Sequence, residues 1–257
     1  MLIGELRRAI DDGDLALHYQ PKVDLRTNTL TGVEALARWQ HPLRGLIAPN
    51  QFIPIAEQAG LIDRLSRSVL ELALRQVRTW RRAGLEIPVA VNLSMRNLHD
   101  QHLPETIAGL LEAFAIPAHL LSLELTESTL MADPDRTRSI LERLRAMGIH
   151  IAIDDFGTGH SSLTYLKHLP VDELKIDRSF IRDIARDASD RVIVRAVIDL
   201  AHSLGLRVVA EGVEDAITRA LLADLGCDQA QGFLLSRPLP GPAVSHWLWQ
   251  HQAQPAA

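Results

Sequence analysis

The sequence holds a single cysteine, Cys227, in 257 residues, so no intrachain disulfide can form and neither a thiolate zinc cluster nor an iron–sulfur centre can be assembled. That scarcity suits a reducing compartment, and the cytoplasm is the expected location. Long apolar runs are absent as well. No stretch approaches the roughly 18 uninterrupted apolar residues of a membrane span, and residues 1–14 meet charge before any signal-peptide core develops. Lysine is scarce: Lys22, Lys167 and Lys175 are the only three among 27 basic residues. The formal charge of −5, with basic residues spread throughout, argues against phosphate-backbone binding, which favours a clustered basic face. A nucleic acid polymer is therefore not an expected partner. What remains is ordinary for a globular chain: 47% hydrophobic and 23% charged residues, with 15 glycines and 13 prolines, a balance that excludes disorder and collagen-like repeats.

Apolar runs of four to eight residues bounded by turn signals predict eight strands, at 15–23, 32–39, 88–93, 121–126, 150–154, 173–177, 207–211 and 229–235. From the third strand on, apolar residues at three- and four-residue spacing predict helices over 103–114, 134–147, 189–204 and 215–225. Asp133 before Pro134, and Gly148 after Met147, supply a cap, a first-turn proline and a stop. Eight strands alternating with helices over about 250 residues predict an α/β fold of the TIM-like (β/α)8 barrel type, with its chemistry at the carboxyl ends of the strands. One connection breaks the rule. Residues 24–31 are too few for the dozen or more that a parallel crossover requires, so the first strand should run antiparallel to the second. Helical structure resumes over 54–83. One domain over residues 1–249 is expected, with a polar tail, 250–257, that frays.

Polar residues interrupt or end the strands after the first: Glu34, Asn92, Glu124, Asp154 with Asp155, Lys175, Glu211 and Gln231. Any one carboxylate there could be a solvated loop residue or a helix cap. Recurrence from strand to strand asks for more, because unpaired charges are costly to bury and a shared cation or substrate would compensate them. Five carboxylates and an amide oxygen make an all-oxygen donor set, which suits Mg²⁺ or Mn²⁺ rather than zinc or copper. Two such ions, together with Lys175, would offset the five negative charges. A paired-metal centre clamps the attacking and leaving oxygens of a phosphoryl displacement. Asp154 and Asp155 are the natural bridge. Neighbours in an extended segment face opposite ways, so both reach metal only if the strand ends there, and residues 156–159 are expected to supply that turn. Lys175 stands out in an arginine-rich chain, since a compact ammonium can hydrogen-bond a water where a planar guanidinium is the wrong shape. The plainer reading makes it a surface residue.

Glu34-Ala35-Leu36, followed by residues 37–42, resembles the signature that names the EAL domains, bacterial phosphodiesterases that hydrolyse cyclic di-GMP. Tyr19-Gln20-Pro21, Val91-Asn92-Leu93-Ser94, Glu124-Leu125-Thr126-Glu127, Asp154-Asp155-Phe156-Gly157-Thr158-Gly159, Leu174-Lys175-Ile176-Asp177, Glu211-Gly212-Val213-Glu214 and Gln231-Gly232-Phe233 extend the similarity over residues 3–249. The resemblance implies the barrel with its first strand antiparallel, and water attack on one 3′–5′ phosphodiester to give linear pGpG. It implies that Glu34, Asn92, Glu124 and Asp154 hold one metal, and that Asp154, Asp155 and Glu211 hold or approach the second. Lys175 would position the nucleophilic water, so that Glu34, Asp155, Lys175 and Glu211 form the catalytic set. Gln20, the backbone near Leu36, and Arg38 would contact the phosphate and guanine portions, with Gln231 beside them. Glu127 would brace the loop after Asp155, near a homodimer interface.

From the metal-dependent mechanism, Ca²⁺ should bind yet inhibit, its longer and more variable oxygen distances misplacing the water. Sensor or GGDEF domains upstream are expected in a longer protein, a reading that a start almost at the first helix suits. One departure from the family pattern is His160, where tyrosine is usual; it is read as a loop residue and not a ligand. His41 is read as structural and Cys227 as a small core residue. Two other classes of function are open: a catalytically inactive cyclic di-GMP receptor or interaction module and, on Lys175 alone, a Schiff-base aldolase-type barrel.

Overall fold

A computed structural model describes residues 2–127, 133–158 and 166–252. Helix α1 (Leu2–Asp12) precedes strands β1 (Leu15–Asp24) and β2 (Leu30–His41), which pair antiparallel from Leu15 opposite Trp39 to Val23 opposite Leu30. Asp24 closes the turn between them, its Oδ1 accepting from the backbone N–H groups of Arg26 and Thr27. Asn28 takes φ 58° there, which asparagine tolerates better than most residues. A short β3 (Gly45–Ile47) folds back on the end of β2. Helices α2 (Pro49–Gln58) and α3 (Ile62–Arg82) follow, so the helical stretch expected over 54–83 is two helices. The chain turns between them, with Gly60 at φ 67°.

The remaining elements are β4 (Val89–Asn92), α4 (Leu103–Phe114), β5 (Leu121–Thr126), α5 (Pro134–Ala146), β6 (His150–Phe156), β7 (Glu173–Ile176), the single-turn α6 (Arg178–Ile181) and α7 (Ala188–Ser203). After them come β8 (Arg207–Ala210), α8 (Ala216–Asp224), β9 (Gln229–Gln231), β10 (Leu239–Pro240) and α9 (Gly241–Gln252). Asp133 caps α5 as expected, accepting from Arg136 N–H, and Gly148 stops it at φ 88°. The strands close in the order β1-β2-β4-β5-β6-β7-β8-β9 and back to β1. Parallel pairing holds from β2 round to β9, and β1 is antiparallel to both of its neighbours. This is the expected (β/α)8 barrel with an inverted first strand.

Strand β9 is shorter than the predicted 229–235 because Gly232 turns hard against Val213. A Cβ at Gly232 would lie 2.1 Å from the Val213 carbonyl oxygen, and Leu235 and Ser236 N–H both return to Gly232 O. Residues 250–252, assigned to the tail, end α9; residues 253–257 lie outside the described residues. No helix among the described residues is long and apolar enough to cross a membrane.

Alternation along the strands sorts the side chains. Val33, Val89, Val91, Leu123, Leu125, Ile151, Ile153, Leu174 and Val208 are buried with Leu70, Leu74, Ile107, Leu141, Val194, Ile198 and Leu222 of the helices. Each such Leu or Ile contributes roughly 2 kcal/mol by leaving water. Cys227 belongs to this core, and burial pushes its thiol up to about 12. His41 is buried, its Nδ1 accepting from Leu43 and Arg44 N–H to close the β2–β3 turn. The other face of the strands is the barrel interior, which in this fold is ordinarily filled by branched apolar residues. Here it is polar and layered: Lys22, Gly32, Ser122, Glu173 and Gln229 line a space of about 150 Å³. The residues two further along in β2, β5, β7 and β9 share that face and are Glu34, Glu124, Lys175 and Gln231.

Candidate active site

Lys175 is fully buried on β7, so the surface reading fails. Its Nζ lies 2.7 Å from Glu211 Oε1, 2.8 Å from Glu124 Oε2, 3.0 Å from Asp154 Oδ1 and 3.7 Å from Glu34 Oε2. Burial alone would disfavour the ammonium, but Glu124, Glu211, Glu34 and Asp154 outweigh it and hold the lysine well above its ordinary range. One cation thus serves a cluster of carboxylates contributed by β2, β5, β6 and the turn after β8.

The carboxylates respond differently to that crowding. Glu34 is buried, which favours its neutral form, yet Lys175 and hydrogen bonds from Gln231 and Asn92 hold it below the usual range. Gln231 Nε2 donates to its Oε2 at 2.6 Å and Asn92 Nδ2 to its Oε1 at 2.8 Å. Glu124 goes the other way: full burial dominates Lys175 and lifts it well above the usual range. Its Oε1 is buried without a hydrogen-bond partner. Glu211 is raised to about 7 by burial and then by Asp154 and Glu34, against the pull of Lys175. Asp155 is raised to about 6 by burial and by Asp154.

Oxygens of Glu34, Glu124 and Asp154 lie within 4.8 Å of one another, and so do those of Asp154, Asp155 and Glu211. Asp154 belongs to both groups. An all-oxygen donor set, an orphaned carboxylate oxygen and raised proton affinities fit hard divalent cations. Asn92 turns its amide nitrogen to Glu34.

The turn that brings Asp154 and Asp155 together is not the expected end of a strand. Strand β6 continues to Phe156, which pairs with Ile176, and the register shifts between Ile153 and Phe156. Asp155 sits inside this irregularity at φ 54°, a left-handed conformation that aspartate, like asparagine, tolerates better than most residues. A β-bulge of this kind re-aims a side chain without ending the ladder. Just beyond it, Gly157 N–H donates to Glu127 Oε2 at 3.0 Å, and Glu127 is buried. His160 lies outside the described residues.

A cavity of about 310 Å³ opens above the cluster, lined by Gln20, Glu34, Leu36, Arg38, Asp154, Glu211 and Gln231 among others. An apolar cleft of about 450 Å³, bordered by Ile53, Leu65, Asn92 and Met95, meets it at Leu36. Four further lining residues were not among the expected contacts: Arg178, Glu214, Phe233 and Pro238. The first three lie within or directly after the quoted motifs, the only signal that could have found them. Gly212, at φ 69°, lets the turn after β8 press on Arg178, since a Cβ there would lie 2.5 Å from Arg178 Cβ. Sequence reasoning also missed the buried ion pair of Lys22 with Glu173 one layer below.

A family model described as EAL domain matches residues 3–238. The bifunctional diguanylate cyclase/cyclic di-GMP phosphodiesterase MucR of Pseudomonas aeruginosa is 49% identical over 241 residues, 93% of this chain and 35% of that protein. The cyclic di-GMP phosphodiesterase NbdA of the same organism is 46% identical over 245 residues, 95% of this chain and 31% of that protein. The chain therefore spans about a third of the length of these curated relatives. Among solved structures, the PaMucR phosphodiesterase in complex with c-di-GMP aligns with a TM-score of 0.91 at 48% identity, covering 95% of this chain and 99% of that one.

Proposed function

Because this chain belongs to the EAL domain family, we propose that it hydrolyses cyclic di-GMP to linear pGpG, water attacking one 3′–5′ phosphodiester. The observation that carries the reading is the convergence of Glu34, Glu124, Asp154 and Glu211 on Lys175 at one rim of the barrel. Glu34, Asn92, Glu124 and Asp154 would hold one Mg²⁺ or Mn²⁺, and Asp154, Asp155 and Glu211 a second. Such ions, when bound, polarise phosphoryl oxygens and acidify water. Lys175 keeps its proton and offsets charge that develops on the phosphoryl oxygens, and it donates to the attacking water once Glu211, Glu124 or Asp154 turns from it to an ion. Burial and Asp154 push Asp155 and Glu211 above the usual carboxylate range, and a second cation held between them would favour their ionised forms. Arg38, lining the cavity and half-buried, takes a substrate phosphate, with Gln20 and the backbone at Leu36 beside it. The two clefts that meet at Leu36 support a ligand with two bases.

Residues 1–249 are read as one domain, active in the cytoplasm, that pairs as a homodimer near the loop following Asp155, with Glu127 bracing that loop. Relatives much longer than the aligned part support sensor or GGDEF domains alongside it. The Schiff-base reading is disfavoured by the ion pairs of Lys175, which hold its proton where an imine-forming lysine must release it. Incubation of the purified chain with cyclic di-GMP and Mn²⁺, followed by chromatography, tests the proposal. Accumulation of pGpG that EDTA abolishes supports it; tight binding with no pGpG favours the receptor.

A further inference from the structure

Gln20 and Gln231 lie at the edge of the cavity where substrate contact was expected, but their hydrogen bonds point elsewhere. Gln231 Nε2 donates to Glu34 Oε2 at 2.6 Å and to Gln20 Oε1 at 3.2 Å, which uses both of its hydrogens. Its Oε1 is sealed from solvent and has no partner. No donor is left over for a phosphate, and the acceptor is out of a ligand's reach. Gln20 Nε2 in turn donates to the Ser236 backbone carbonyl at 3.2 Å. That carbonyl can only accept, and so can an ionised Glu34, so neither amide can flip without setting oxygen against oxygen. Gln20 stands directly opposite Glu34 in the β1–β2 ladder, and Gln231 stands opposite Lys22, two residues further along β1. All three polar side chains are buried, with Gln231 only 4% exposed.

We infer that Gln231 is a positioning residue: its amide, aligned by Gln20 from the Ser236 carbonyl, fixes the Glu34 carboxylate for a divalent cation and does not bind substrate. Asn92 holds the other Glu34 oxygen, so the carboxylate is clamped from both sides before any ion arrives. Outer partners of this kind orient ligands and tune metal affinity. The relay also starts in the segment that carries Phe233 and Pro238, which line the cavity wall. The inference rests on the proposed role of Glu34 as a ligand.

The test is Gln231→Leu, measured by Mn²⁺ calorimetry and, separately, by cyclic di-GMP binding in EDTA. Mn²⁺ affinity should fall about tenfold or more, while cyclic di-GMP affinity in EDTA stays close to that of the parent. The reverse pattern, or equal loss of both, overturns the inference. Glu34→Gln separates the two levels of argument. If it leaves Mn²⁺ binding intact, the reading of Glu34 as a ligand fails; if it abolishes binding while Gln231→Leu does not, only the relay fails. Should Gln231→Leu not fold, Gln20→Leu carries the test. It should weaken Mn²⁺ binding by a smaller factor, and unchanged Mn²⁺ affinity would overturn the relay.

Discussion

The two ends of the barrel interior both bury charge, and they do so in opposite ways. Towards the amino end, Lys22 and Glu173 are 7% and 6% exposed and pair one to one. Towards the carboxyl end, Lys175 has four carboxylates within 4 Å, with Asp155 close by. A balanced buried pair is self-contained, and apolar residues of similar volume could often replace it at no cost. An unbalanced cluster is different. The polypeptide has too few cations for it, so Glu124 and Glu211 are pushed toward their neutral forms unless a cation arrives. Charge imbalance, more than burial itself, sets the proposed site apart from the other end.

The largest effect that can break this comparison is expected from Glu34→Ala, which should abolish hydrolysis while circular dichroism shows an intact fold. Retained turnover would remove Glu34 from the site. Lys175→Arg should cost on the order of 100-fold in kcat, because a planar fork misplaces the donor by a distance that matters; near-normal rates would show that any cation suffices. Replacing Mn²⁺ with Ca²⁺ should leave binding measurable by calorimetry and suppress pGpG formation, and Ca²⁺-supported turnover would contradict the geometric reasoning.

A smaller effect is expected in the pH dependence of stability. Asp155 at about 6 and Glu211 at about 7 bind protons in the folded chain that the unfolded chain releases near pH 4. Between these limits the native state holds more protons on these two groups, so their contribution to stability falls as pH rises. The Tm in EDTA should therefore drop from about pH 5 to about pH 7.5, and less steeply in an Asp155→Asn/Glu211→Gln variant. Equal slopes in the two proteins would assign the pH dependence to other groups. The smallest net effect is expected from removing the balanced pair whole. Lys22→Met alone should cost about 3 kcal/mol by stranding Glu173, whereas Lys22→Met/Glu173→Met should return to within about 1 kcal/mol of the parent in urea unfolding. If the double variant loses as much as the single one, the pair is not the self-contained unit described.

The sequence made most of the frame legible, because strand runs and helix caps are local signals. The inverted first strand followed from the shortness of residues 24–31 alone. The ends of elements were less legible where contacts between distant segments decide them: β9 stops at Gln231 because Gly232 meets Val213. At the site, residue types and strand positions pointed to the cluster, but the means of assembling it did not show. The Asp155 bulge depends on pairing with β7, and a run such as Asp154-Asp155-Phe156 carries no mark of a left-handed residue. Likewise the alternation of Ser122-Leu123-Glu124-Leu125 does not by itself tell a solvated face from a barrel interior, and closure of the barrel leaves Glu124 at 0% exposure. Lys22 and Glu173 were overlooked for the same reason.

The central claim is that the unbalanced carboxylates of the carboxyl end exist to hold divalent cations against a cyclic dinucleotide. Crystals soaked with Mn²⁺ and cyclic di-GMP, recorded at the manganese edge, test it most directly. Two anomalous peaks are expected, one against Glu34, Asn92, Glu124 and Asp154 and one against Asp154, Asp155 and Glu211, with a phosphate of the ligand beside Lys175. Density for the ligand with no manganese among these residues, or manganese bound elsewhere on the chain, would contradict it.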